Sequence, residues 1–185
     1  MTNNLTIIES KLIKCFDRPS IRIRIPRLAT NKGKFPLIAN WPNIYEPLNI
    51  TQILAKDYNW GIRTGKQIGS YYFIVLDLDD EWAQVRLPVN RYVKSQRGIH
   101  IYCLVKELPK NSYLYDQDGQ KIGDLLSLGK QAIGIGSIHS SGVKYSLKLA
   151  GKSNSNWFLK FATCQALEKY LLAKNIYLKS KNKSL

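Results

Sequence analysis

The sequence predicts an α+β fold in which helices flank a largely antiparallel sheet. Short segments rich in β-branched and aromatic residues occupy the middle of the chain, and stretches with helical periodicity lie towards both ends. With 185 residues, 44% of them hydrophobic, the chain is long enough to bury one substantial core. We therefore expect one domain over residues 1–175 and a flexible basic tail over residues 176–185.

The first third of the chain predicts two helices and a strand. A short helix is expected over residues 5–16. In residues 20–25 isoleucine alternates with polar residues, which predicts a strand with Arg22 and Arg24 together on its outer face. Residues 49–56 begin with the spacing of a helix capping box, so a second helix is expected there.

The middle of the chain predicts a series of strands. Residues 71–79 form a β-branched and aromatic run typical of a central strand. Residues 91–96 and 99–105 predict a hairpin that turns near Gly98. Shorter strands separated by glycine-containing turns are expected at residues 122–128, 131–138 and 143–149. An amphipathic helix is then expected over residues 155–173, where apolar side chains recur at spacings of three and four.

Charge is the most informative property of the composition. The chain has 28 Lys and Arg against 13 Asp and Glu, a net charge of +15. Such a surplus favours a polyanionic partner such as nucleic acid. No apolar run approaches the roughly 20 residues of a membrane helix, and no secretory signal is visible, so we expect an intracellular, cytoplasmic protein without a membrane partner. Three widely spaced cysteines indicate neither a zinc site nor a disulfide framework.

Two carboxylates stand at the end of the predicted central strand. Because strand side chains alternate, Asp77 and Asp79 point to the same face, with their Cα atoms about 6.8 Å apart. Carboxylates at that spacing repel one another unless a cation lies between them. A pair of Mg²⁺ or Mn²⁺ ions about 3.5–4 Å apart would satisfy both and would support in-line phosphoryl transfer. A solvated acidic turn at the end of a strand is the alternative interpretation.

Further polar residues lie on the strands that follow. His100 is presented from a predicted strand beside a basic turn and can donate to a triphosphate oxygen, and Asp124 lies within another apolar strand as a candidate third metal ligand. Gly134 and Gly136 indicate either close approach of a ligand or tight packing of the sheet. Residues 137–142 offer hydroxyl and imidazole groups that can contact phosphates. Each segment alone has an ordinary structural interpretation.

The order of these segments resembles the primase-polymerase domains of the archaeo-eukaryotic primase superfamily. The resemblance spans most of the chain, from Gly33 to Leu149. The segments that carry it are Gly33-Lys34-Phe35-Pro36 with Trp41, Asn59-Trp60-Gly61-Ile62-Arg63-Thr64-Gly65, the strand ending in Asp77-Leu78-Asp79, Gly98-Ile99-His100, Asp124, and Ser137-Ile138-His139 through Ser141, Gly142 and Tyr145. Gly98 stands where the second motif has serine, and Ser95 lies shortly before it.

The resemblance implies a fold and a set of site residues. A small α/β unit would pack on an RNA-recognition-like antiparallel sheet that carries the catalytic residues. Asp77, Asp79 and Asp124 would bind two Mg²⁺ or Mn²⁺ ions, and His100 would contact the incoming nucleoside triphosphate. The remaining nucleotide contacts implied by the resemblance are Ser95, Arg97, Lys130, Ser137 and His139.

The expected function is that of a DNA primase or DNA-directed polymerase, a metal-dependent nucleotidyltransferase. Its partners would be a single-stranded DNA template, a primer and nucleoside triphosphates, in the replication of a plasmid, phage or similar element. A replicative helicase is a further candidate partner. Two alternatives stay open: a non-catalytic nucleic-acid-binding replication module with the same fold, and a metal-dependent nuclease that uses the same carboxylates.

Overall fold

The computed structural model describes residues 5–18, 20–28, 33–46, 48–56, 58–79, 87, 89–149 and 157–180. These ranges form an α+β structure with a large antiparallel sheet and few helices, which confirms the predicted class. The helices are α1 (Ile7–Lys14), α2 (Ile50–Leu54) and α3 (Cys164–Leu172), with a 3₁₀ turn at Trp41–Asn43. Among the described helices, none has the length and apolar character needed to span a membrane.

The strands form two sheets. In chain order they are β1 (Arg22–Pro26), β2 (Tyr58–Arg63), β3 (Gln67–Ile68), β4 (Tyr71–Leu78), β5 (Arg91–Lys94), β6 (Ile99–Val105), β7 (Ser112–Tyr115), β8 (Lys121–Leu126), β9 (Gln131–Ile133), β10 (Ser146–Leu149), β11 (Leu159–Phe161) and β12 (Tyr177–Ser180). The small sheet has the order β1-β2-β9, and the large sheet has the order β10-β5-β6-β4-β8-β7-β12. β3 joins β4, and β11 runs parallel to β6 in an otherwise antiparallel sheet.

The small sheet, α1 and α2 pack against one face of the large sheet. Ile23 and Trp60 of the small sheet share a buried cluster with Phe73 and Tyr102 of the large one. Phe16, just after α1, fills the space between the layers, with its ring centroid 4.9 Å from that of Phe73 and 5.6 Å from that of Tyr102. We call these three elements the small unit and the face beneath them the inner face.

Strand alternation on β4 fixes which side chains reach the inner face. Phe73 and Val75 belong to the cluster beneath the small unit, whereas Ile74 and Leu76 belong to a second cluster that also contains residues of α3. Because successive strand residues point to opposite faces, Asp77 follows Phe73 and Val75 onto the inner face. The apolar run predicted as a central strand is therefore buried on both sides until it reaches this carboxylate.

The prediction that both arginines of β1 lie on an outer face is wrong for Arg22. Arg24 is partly exposed, but Arg22 is buried. Its guanidinium donates to the carbonyl oxygen of Phe16 at 2.9 Å and to that of Leu48 at 2.8 Å. A buried guanidinium is tolerated when its donors are satisfied, so Arg22 joins α1 to the segment that precedes α2.

The C-terminal part of the chain differs from the prediction in two places. The helix predicted over residues 155–173 begins only at Cys164, because Leu159–Phe161 forms β11, and residues 150–156 lie outside the described ranges. Thr163 caps the helix, with its hydroxyl accepting from the Ala166 N–H at 3.1 Å. The segment predicted as a flexible tail contains β12, which pairs with the open edge of β7. Residues 181–185 lie outside the described ranges.

Candidate active site

A row of polar side chains crosses three neighbouring strands on the inner face. Asp77 on β4 lies directly opposite Asp124 on β8 and, on its other side, directly opposite His100 on β6. Directly opposed residues of antiparallel strands share a face, with Cα atoms about 4.5–5.5 Å apart. Asp79, two residues after Asp77, lies at the same end of the sheet, where its N–H donates to the carbonyl oxygen of Ile122 at 2.9 Å. The three acidic residues therefore lie close together at one end of the large sheet.

Asp77 is held by a histidine. The Nε2 atom of His100 lies 3.2 Å from Oδ1 of Asp77. Burial acts to raise the pKa of Asp77, but attraction and hydrogen bonding from His100, with the positive charges of Lys34 and Lys121, outweigh it. The pKa of Asp77 therefore lies below its ordinary value, and this carboxylate stays ionised in its partly buried position.

The pKa of Asp79 is affected by both of the other carboxylates. Burial raises its pKa, and the negative charges of Asp77 and Asp124 raise it further, while Lys121 and Arg97 act in the opposite direction. The pKa of Asp79 therefore lies above its ordinary value. The opposite shifts at Asp77 and Asp79 are what a cluster of carboxylates produces when cationic side chains compensate only part of its charge.

Lys121 is a site residue that the sequence analysis did not identify. Its Nζ atom lies 3.1 Å from Oδ2 of Asp124. Simple alternation along β8 would place these two side chains on opposite faces. The register between β7 and β8 shifts after Leu114, where Ile122 is an extra residue, so that Tyr115 lies opposite Lys121. This bulge turns Lys121 onto the inner face, which alternation in the sequence could not reveal.

The side chains of the row are engaged with one another rather than grouped around a cation position. In the described part of the chain, no group of three or more His, Cys, Asp or Glu residues is arranged to hold a metal ion. Asp77 contacts His100, and Asp124 contacts Lys121. Oxygen ligands such as Asp77, Asp79 and Asp124 are the donors that Mg²⁺ and Mn²⁺ prefer. A divalent cation at Asp124 would have to displace Lys121.

A cavity of about 490 Å³ opens beside the carboxylates, between the small unit and the end of β4. This volume is within the range of small-molecule sites. The predicted site residues that line it are Asp77, Asp79, Ser95, Arg97, His100 and Lys130. Lys34, in the loop that carries the Gly-Lys-x-Pro segment, lines it as well. Three basic side chains therefore face the same space as two carboxylates, a combination suited to a polyphosphate.

Tyr145 is a second cavity residue to which the sequence analysis gave no role. Its ring lies against that of His100, with centroids 5.6 Å apart and planes inclined at 38°. Burial raises the pKa of Tyr145, and the negative charge of Asp77 raises it further, so the phenol is neutral. Asp77 and Tyr145 thus orient the imidazole from two directions.

Gly98 occupies a position that has no room for a side chain. A Cβ atom at this position would lie 1.7 Å from the carbonyl oxygen of Leu78, at the end of β4. The hydroxyl of Ser95 instead accepts from the Gly98 N–H at 3.0 Å, and Ser95 lines the cavity. The turn between β5 and β6 therefore packs on the strand that carries the carboxylates, with the Ser95 hydroxyl bonded inside the turn.

Ser137 and His139 are not brought to this cavity. Ser137 is buried, and its hydroxyl accepts from the Trp60 N–H at 3.2 Å. Nδ1 of His139 lies 2.9 Å from the hydroxyl of Ser141 within a local turn. Both side chains have structural contacts in these positions, and their contact with a nucleotide stays a prediction. At Gly134 the tight-packing interpretation applies, because a Cβ there would lie 2.2 Å from the Trp60 indole.

Asn59 fixes the loops at the rim of the cavity. Its amide nitrogen donates to the carbonyl oxygens of Gly33 and Ile138, each at 2.8 Å, and its amide oxygen accepts from the Ile138 N–H at 2.9 Å. The side chain therefore holds the loop of Lys34 against the segment that contains Ser137. In this structure the Asn59–Gly65 segment acts as scaffold rather than as a chemical group of the site.

A larger cavity, of about 590 Å³, lies away from the carboxylate row, beside α1 and α2. Its lining combines Asp17 with Lys14, Arg18 and Arg22. Arg22 already donates to backbone carbonyl oxygens, so its guanidinium is less available to a ligand than the basic side chains of the smaller cavity.

Compared with models of known protein families and with curated proteins, the chain matches none.

Proposed function

We propose that this protein is a metal-dependent nucleotidyltransferase of the primase-polymerase kind, which makes or extends DNA on a single-stranded template. The observation that carries the proposal is the direct pairing of Asp77 with Asp124, with Asp79 at the same end of the sheet. The adjacent basic cavity and the net charge of +15 support a polyanionic substrate and template.

In this proposal the three carboxylates would hold two Mg²⁺ or Mn²⁺ ions, which neutralise the triphosphate and align the attacking 3′-hydroxyl. Lys34, Arg97 and Lys130 bind the polyphosphate from the walls of the cavity and hold the charge of the leaving pyrophosphate. His100 holds Asp77 in position through Nε2 and lines the same cavity, and its contact with the incoming triphosphate is part of this proposal. Lys121 compensates Asp124 until a cation replaces it.

The proposal includes the finer description of the fold. The large sheet corresponds to an RNA-recognition-like sheet with catalytic residues on its inner face, and the small unit corresponds to the α/β unit that packs on it. The setting we propose is intracellular DNA replication of a plasmid, phage or similar element, with a replicative helicase as a candidate partner.

The test is a primer-synthesis and primer-extension assay on single-stranded DNA, with ribo- or deoxyribonucleotides and with either metal. Asp77→Asn and Asp124→Asn remove one ligand charge each without changing side-chain size, and we expect each to reduce incorporation at least about 100-fold. Asp118→Asn is the matched control, because Asp118 is an exposed acid in the turn before β8. Normal synthesis by either ligand variant removes the assignment.

The same assay separates the two alternatives. A non-catalytic module would bind the template but incorporate nothing in the wild-type protein under any metal condition. A nuclease would degrade labelled DNA in the presence of metal and absence of nucleotides. The basic cavity beside the carboxylates favours the polymerase over both, since neither alternative requires a polyphosphate site.

A further inference from the structure

The row of opposed residues continues beyond Asp124 towards the edge of the large sheet. Tyr113 on β7 lies opposite Asp124, and Lys179 on β12 lies opposite Tyr113. Tyr115, two residues after Tyr113, shares its face and lies opposite Tyr177. With Lys121, these residues form what we call the tyrosine–lysine strip: Tyr113, Tyr115, Lys121, Tyr177 and Lys179.

The strip extends the inner face past the area that the small unit covers. Val75 and Val93 lie in the cluster beneath the small unit, whereas neither Tyr113 nor Tyr115 belongs to the core clusters formed by the described residues. Lys179 is exposed, and Tyr177 is 40% exposed. The carboxylates therefore lie at the border between a covered and an open part of the same face.

Each of the two β7 tyrosines carries a lysine over its ring. Nζ of Lys121 lies 4.5 Å from the Tyr113 centroid, and Nζ of Lys179 lies 4.3 Å from the Tyr115 centroid. The two rings are 6.4 Å apart and nearly perpendicular. Aromatic faces combined with basic groups are what single-stranded nucleic acid binds, by base stacking and by phosphate contact.

The lysines do not prevent stacking. A base stacked on an aromatic side chain is bound more strongly than an exposed ammonium group above the same ring. When a base takes the ring, the displaced lysine is free to contact the phosphate next to it. The exchange therefore gains two contacts for the one that is lost.

We propose that the tyrosine–lysine strip binds a single-stranded nucleic acid and leads it to the carboxylate row. Tyr113 and Tyr115 stack bases, and Lys179 contacts the backbone. The identification of this strand as template or primer rests on the proposed function, but the binding itself does not. The lysines would also attract an acidic peptide, but such a partner has no bases to stack on the rings.

Base stacking on the Tyr115 ring is tested with Tyr115→Leu and Tyr115→Phe. Binding of a labelled single strand of about 16 nucleotides is measured by fluorescence anisotropy in EDTA without nucleotides. We expect Tyr115→Leu to weaken binding about tenfold and Tyr115→Phe to bind like the wild type, since stacking needs the ring and not the hydroxyl. Tyr45→Leu is the matched control, because Tyr45 is an exposed tyrosine in the segment before α2, away from the strip, with Lys66 above its ring.

The phosphate contact of Lys179 is tested by the salt dependence of single-strand binding. Lys179→Ala should reduce the slope of log K against log salt by about 0.7, the value for one phosphate contact of a single strand. Lys169→Ala removes an exposed lysine from α3, on the other side of the sheet, and should leave the slope unchanged. Thermal unfolding of every variant shows that the fold is intact.

The outcomes separate this inference from the proposed function. The proposal for the strip is wrong if Tyr115→Leu binds the single strand with wild-type affinity, or if Tyr45→Leu loses as much affinity as Tyr115→Leu. It is also wrong if the protein binds an acidic peptide in preference to the single strand. DNA and RNA strands are compared in parallel, and binding of either with the expected variant pattern supports the strip. If the variants show that the strip binds the single strand but the wild type incorporates no nucleotide, only the proposed function is contradicted. If the wild type incorporates nucleotides but Tyr115→Leu binds the single strand as tightly as Tyr115→Phe, only the proposal for the strip is contradicted.

Discussion

Asp77 and Asp124 lie directly opposite each other on adjacent antiparallel strands, although they are far apart in the sequence. Their separation is set by the main-chain register of β4 and β8, so it does not depend on flexible side chains. Two carboxylates held this close repel one another. His100 and Lys121 provide the compensating contacts, at 3.2 Å and 3.1 Å.

Removal of the lysine that competes for Asp124 should improve metal binding. We expect Lys121→Met to tighten Mn²⁺ binding by a factor of about 1.4 to 5 in the absence of nucleotide, because a partly exposed ion pair is worth about 0.2–1 kcal/mol. Free Mn²⁺ measured by electron paramagnetic resonance gives the affinity. Lys169→Met should not change it, and weaker binding in Lys121→Met would mean that Lys121 does not compete with the cation.

Asp79 should make the metal-free protein less stable. Its folded pKa is raised, so the ionised form costs folding free energy at neutral pH, and this cost disappears as pH falls below the unfolded pKa of about 4. We expect Asp79→Asn to stabilise the protein in EDTA at pH 7 by about 0.5 kcal/mol, a small value because water screens this exposed group.

Urea unfolding at pH 7 and at pH 3 measures this difference, which should vanish at about pH 3, where the acid is protonated. With Mn²⁺ present the sign should reverse, because the variant lacks a ligand. An Asp79→Asn variant that is less stable than the wild type in EDTA would contradict the like-charge cluster.

A side chain at position 98 should damage this protein. Gly98→Ser introduces a side chain at a position where a Cβ would lie 1.7 Å from the Leu78 carbonyl oxygen, so the end of β4 must move. We expect a loss of about 1–3 kcal/mol in stability, with a fall in incorporation. Ser95→Ala, which removes the hydroxyl without a clash, should be more stable than Gly98→Ser. Improved incorporation by Gly98→Ser would contradict the packing of this turn.

The sequence predicted the central elements because their patterns are local. The apolar run of β4 and the hairpin of β5 and β6 were visible from composition and alternation, and so was the common face of Asp77 and Asp79. That Asp124 joins them depends on the pairing of β4 with β8. The resemblance implied that Asp124 is a third metal ligand beside them, but neither it nor alternation within either strand gave the pairing of the two strands.

The differences arise from contacts between distant segments. Lys121 reaches the inner face through a bulge, and Arg22 is buried because carbonyl oxygens of other segments accept from it. β12 lies in a C-terminal segment rich in lysine and serine, but the edge of β7 supplies its hydrogen bonds. The start of α3 was misplaced because Trp157 and Phe161 fit a helical spacing, although the chain becomes helical only after Thr163.

A count of bound Mn²⁺ tests most directly whether the three carboxylates share a pair of cations. Calorimetric titration of Mn²⁺ into the protein with deoxyadenosine triphosphate, without template, should give two ions per wild-type chain and one or none for Asp77→Asn and Asp124→Asn. Asp118→Asn should retain both ions. Two ions in either ligand variant, or none in the wild-type protein, would contradict the two-metal site.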